Sequence, residues 1–98
     1  MSTLHILYST QWPLALERIW SPGDSLLLAG ASVALGHRPH GPLQQFMQRV
    51  GSGATVLALA DAVHCRGLQA HWPAAIELID SAAWVDAVIA HQKSLSWA

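Results

Sequence analysis

Four short apolar runs, TLHILY at 3–8, SLLLAG at 25–30, TVLALA at 55–60 and IELID at 76–80, recur along the 98 residues. Each is short enough for a buried strand, and the segments between them change to helical spacing or to turn residues. Between the first two runs, Ser9 or Thr10 is placed to cap a helix whose first turn holds Pro13, and SPGD closes it. The second run leads through GASVALG into the loop HRPHGP, and LQQFMQRV reads as a short helix stopped by GSG. After the third run, Asp61 is placed to cap the brief helix AVHCR. Gly67 ends it, with Val63 and Leu68 spaced for the hydrophobic contact of a glycine cap. Asp80 or Ser81 then starts a last helix in which Trp84, Val85, Val88 and Ile89 fall at helical spacing and make one apolar face. The tail QKSLSWA is polar apart from Leu95 and Trp97 and is expected to end in a short extended segment. Strands alternating with helices predict an α/β layered fold with a mainly parallel sheet flanked by helices, in one domain over residues 1–98. No internal repeat or low-complexity stretch interrupts it.

Composition sharpens this picture. Hydrophobic residues make up 52% of the chain and charged residues only 11%, against about 25% in an ordinary soluble domain. Eleven charged side chains cannot cover so small a domain, so part of the apolar surplus is expected to be hidden against other chains. Five tryptophans point the same way, at least two of them expected in an interface, with Trp12, Trp72, Trp84 and Trp97 as the candidates. A net charge of −1 offers no electrostatic footprint for direct binding of nucleic acid. The amino terminus lacks the basic region of a signal peptide, and the longest apolar run is too short for a membrane span. A single cysteine forms no internal disulfide, and together these features predict a cytoplasmic protein without a membrane segment.

The candidate chemistry is sparse. Cys65 stands between His64 and Arg66, yet it falls near the carboxyl end of its helix, where the dipole disfavours a thiolate, and neighbours at i±1 do not face one another. A small packed or half-exposed thiol is expected there, with a sulfur carrier as the alternative. His37 and His40, and His64 and His71 around Cys65, match no zinc spacing, so no metal is expected. The loop from Gly36 to Pro42 offers Arg38 and its histidines to an anion, a solvated or interface loop being the plainer reading. There is no GxGxxG and no P-loop, and no cofactor is expected.

In order along the chain, LHILYST, SPGDSLLLAG, CRGL and IELIDSAAWVDAVIAHQKSLSWA resemble the TusB/DsrH family of sulfur-relay proteins. The resemblance spans nearly the whole chain. It implies a small DsrE-like α/β fold and a cytoplasmic heterohexamer of two heterotrimers with TusC-like and TusD-like subunits. It further implies passage of persulfide sulfur from a TusA-like donor toward a TusE-like acceptor, for 2-thiolation of the tRNA wobble uridine. In the Tus branch the sulfur-carrying cysteine belongs to the TusD subunit, while DsrH members in sulfur oxidisers carry one in the first helix. Here Leu16 stands near that position, and Cys65 occupies a place where relatives more often have alanine. The chain departs from its relatives at AGASVALG, where they have a polar, acidic turn, and at Ala98 beyond the usual terminal Trp. The expectation is thus a non-catalytic subunit, with a sulfurtransferase using Cys65 or a free-standing anion-binding module as alternatives.

Overall fold

The computed structural model describes residues 2–38, 41–51, 55–70 and 72–97. The strands are β1 (Thr3–Leu7), β2 (Ser25–Leu28), β3 (Thr55–Leu59), β4 (Glu77–Ile79) and β5 (Lys93–Trp97). They form one sheet in the order β4-β3-β2-β1-β5, and every pairing is parallel. The helices are α1 (Leu14–Ile19), α2 (Val33–His37), α3 (Pro42–Val50), α4 (Ala60–Cys65) and α5 (Ser81–Ala90).

β1 and β2 are buried at every position, which is why they read as largely apolar runs rather than as alternating ones, with His5 the polar exception inside β1. The path from β1 to β4 steps in one direction across the sheet with α1 to α4 on one face. There Leu16, Val33, Leu35, Leu43, Phe46 and Val63 pack on Leu7, Leu26, Leu28, Val56 and Ala58. The chain then crosses back on the opposite face through α5, whose Ala83, Trp84 and Ala87 lie on Leu4, Ile6, Leu27, Leu57 and Ile79. Among the described residues one helix alone therefore covers the second face, and β5 is laid down beyond β1 at the far edge.

The expected α/β layering is met, and the polar tail pairs along the whole of β1. Several details differ. GASVALG is no plain connection but a 3₁₀ turn at Gly30–Ser32 running into α2, which Gly36 permits: a Cβ there would lie 2.9 Å from the Trp72 ring and 3.0 Å from Ile76. α1 begins after Pro13 without a side-chain cap from Ser9 or Thr10. α4 likewise starts at Ala60 with Asp61 inside its first turn, because the helix leaves β3 with no intervening loop. At the other end of α4 the glycine cap forms as expected: Gly67 takes φ +65°, its N–H donates to His64 O, and the Leu68 N–H donates to Val63 O. Asp80 caps α5 by accepting from the Ala83 N–H at 2.8 Å.

Candidate functional site

In an open parallel sheet, ligands gather outside the carboxyl ends of the strands where the chain direction switches, here between β1 and β5. Tyr8 N–H donates to Trp97 O at that point, and the segment YSTQWP leaving β1 carries no acid, base or thiol apart from the Tyr8 phenol. Ser32 is the buried hydroxyl at this edge. It is already engaged, donating toward Leu7 O and accepting from Ala29 N–H at 2.9 Å, so it braces the ends of β1 and β2. Leu16, near the position where sulfur-oxidising relatives carry a cysteine, is fully buried in the α1-side core. A side chain there packs against its own sheet and meets no solvent.

Cys65 closes α4. A helix rise of 1.5 Å per residue sets it about 7.5 Å back from the carboxyl edge at which α4 begins. The thiol is exposed, more open than the packed or half-exposed position expected. His64 and Arg66 beside it are exposed too. His37 stacks on Trp72 with ring centroids 6.4 Å apart, and its Nε2 lies 3.3 Å from Ala70 O, so the end of α2 leans on the segment after α4. Arg38 is exposed, while His40 and His71 lie outside the described residues. Among the described residues no group of three or more His, Cys, Asp or Glu side chains is placed to hold a metal ion.

The densest polar cluster was not foreseen from sequence. His5, fully buried in β1, places Nε2 2.9 Å from Asp24 Oδ2, and its Nδ1 accepts from Trp97 Nε1–H at 3.2 Å. An indole N–H only donates, so Nδ1 must accept, which puts the ring proton on Nε2 facing Asp24. Asp24 also accepts from Thr3 N–H at 2.9 Å and Ser21 N–H at 3.0 Å. Burial pushes its pKa up, but the bonds from His5, Ser21 and Thr3 outweigh that and hold it below the ordinary 3.8. Trp20 stacks on His5 with centroids 5.1 Å apart. The cluster ties β1 to the residue before β2 and to β5, with His5 and Asp24 buried and Trp97 and Trp20 half-buried around them. No local motif announces it, since its members are 19 and 92 positions apart.

The interface candidates divide. Trp12 is half-buried against Phe46 and donates to Glu17; Trp72 donates to Ile76 O at 3.0 Å; Trp97 docks on its own sheet. Trp84 differs. It packs on the α5 side of the sheet, its Nε1 has no hydrogen-bond partner, and with Val85, Val88 and Ile89 it lines an open apolar depression of about 270 Å³. The single apolar face expected of α5 is in fact two: Ala83, Trp84 and Ala87 turn to the sheet, while Val85, Val88 and Ile89 are exposed.

No helix among the described residues is long and apolar enough to cross a membrane. A search of curated protein sequences gave no match. The crystal structure of the YchN protein from E. coli superposes with a TM-score of 0.71 at 16% identity, over 99% of this chain and 100% of that one, a likeness of fold. The family model described as DsrH like protein matches residues 10–94. Spanning all but the first strand and the end of the last, that match shows that the chain belongs to the DsrH-like family and is a sulfur-relay-related protein.

Proposed function

We propose that this chain is a non-catalytic, assembly-forming subunit of a cytoplasmic relay that passes persulfide sulfur for 2-thiolation of the tRNA wobble uridine. The observation that carries it is the absence of a thiol from the described carboxyl edge together with the burial of Leu16, which supports a sulfur-carrying cysteine on another subunit. The partners of this reading are TusC-like and TusD-like chains in a heterohexamer, a TusA-like donor and a TusE-like acceptor, with no direct contact to nucleic acid. The uncovered aliphatic side chains of α5 support a role in assembly. Tagged protein purified from its own cells should bring down two related α/β chains in equal amounts. Recovery of the chain alone, from cells shown to express those two chains, overturns the reading.

The exposure of Cys65 favours one rival, a sulfurtransferase carrying persulfide on its own thiol. Mass spectrometry after incubation with a persulfide donor separates the two, because only a carrier gains one sulfur on Cys65.

A further inference from the structure

Little apolar burial holds α5 to the sheet. No residue of the helix is fully buried, and its inner stripe of Ala83, Trp84 and Ala87 is half-buried on Leu4, Leu27 and Leu57. The Asp80 cap fixes the amino end by a bond within the helix's own first turn. The carboxyl end is fixed by His91, which follows the last turn: its Nδ1 lies 2.7 Å from Ala87 O and its Nε2 lies 2.9 Å from Ser25 Oγ. A carbonyl only accepts, so Nδ1 carries the ring proton and Nε2 accepts from the Ser25 hydroxyl. Ser25 opens β2, which is paired on both sides by β1 and β3, and it is only 6% exposed. It shares its face of β2 with Leu27, the face on which α5 lies. Among the described residues this is the one side-chain hydrogen bond from the segment 80–91 to the sheet.

We propose that His91 is a positioning residue for assembly: by bolting the carboxyl end of α5 to Ser25 it holds the outer stripe of Val85, Val88 and Ile89 in the setting that a related subunit meets. Without the bolt the helix is free to tilt about its capped amino end, because the half-buried inner stripe gives it no deep anchor. Docking then has to order the helix as well as cover it, and that ordering is taken from the affinity. His91 has this work only if α5 meets the related subunits, so the role rests on the relay reading.

The test uses the complex copurified with its related subunits, diluted in steps and weighed by native mass spectrometry to find where this chain dissociates. Ser25→Ala removes the bond from inside the sheet, where no partner reaches, and His91→Asn keeps a side chain long enough for Ala87 O but too short for Ser25. Each should raise the dissociation constant about three- to tenfold. The double variant should be no weaker than the weaker single one, because both changes remove one bond. Hydrogen exchange in the complex should rise in α5 and stay unchanged in β1 to β3. Ser25→Ala that holds the complex as tightly as the wild type overturns the proposal, and so does a loss confined to His91→Asn, which would mean direct contact of the ring with the partner. Exchange that rises across β1 to β3 as well marks a merely structural bond and overturns it too. V85D/I89D separates the two readings. If it releases the chain while Ser25→Ala does not, the positioning role falls and the assembly reading stands. If V85D/I89D also stays bound, α5 is not the assembly face and both fall.

Discussion

Trp97 donates its indole N–H to Nδ1 of His5, so the last strand of the sheet is fastened to the first by a side-chain bond as well as by the backbone ladder. β5 is an edge strand whose Ser94 and Ser96 are exposed, and Trp97 supplies most of its apolar anchorage. Trp97→Phe keeps an aromatic ring but removes the donor, leaving a buried imidazole nitrogen without a partner. A loss of about 1–2 kcal/mol is expected in urea unfolding. Deleting residues 94–98 should cost more, because it also uncovers the β1 edge. An unchanged unfolding midpoint for the Phe variant would show that the bond contributes nothing.

Acid should act through Asp24. Its folded pKa lies below 3.8 because the donors from His5, Ser21 and Thr3 outweigh burial. A depressed carboxyl binds its proton less readily folded than unfolded, so its contribution is present above about pH 3.8 and is lost as pH falls through the lower folded value. The stability gap between wild type and Asp24→Asn, measured by chemical unfolding at a series of pH values, should therefore be constant near neutrality and shrink below about pH 4. A gap that widens on acidification would contradict the assignment.

Much of the fold was legible because parallel strands buried on both faces leave unbroken apolar runs, and SLLLAG and TVLALA are such runs. The glycine cap at Gly67 was equally legible, since its signal is local. What escaped was non-local. Periodicity picks out Val85, Val88 and Ile89 as apolar positions on a helix but does not say which stripe meets the sheet, and in the structure that stripe is Ala83, Trp84 and Ala87. His5 reads as a polar exception inside TLHILY until Asp24 and Trp97 are brought beside it. GASVALG carries no clear helix signal because its glycines are poor helix formers, and only the proximity of Trp72 shows why Gly36 is needed.

That proximity gives a sharp expectation. A methyl group at position 36 would meet Trp72 at 2.9 Å, Ile76 at 3.0 Å and Leu28 at 3.1 Å, all of them side chains of the packed α1-side core. The gain in helix propensity from Gly36→Ala is outweighed by this overpacking, and a net loss of about 1–3 kcal/mol should appear in thermal or urea unfolding. A variant as stable as the wild type would mean that Trp72 moves aside freely.

Cys65 separates the subunit from the carrier. The thiol is exposed, so Cys65→Ala removes no core packing, and its effect on stability should stay within about 0.5 kcal/mol. It also sits at the far end of α4, about 7.5 Å back from the carboxyl edge of the sheet where an open parallel sheet gathers its ligands. In a strain whose only copy carries Cys65→Ala, the thiolated wobble nucleoside should therefore persist near its normal level. Exposure alone makes the sulfur reachable, so alkylation by a small reagent is expected and decides nothing; the decisive quantity is thiolated tRNA. Its complete loss while the complex still assembles would make Cys65 the carrier.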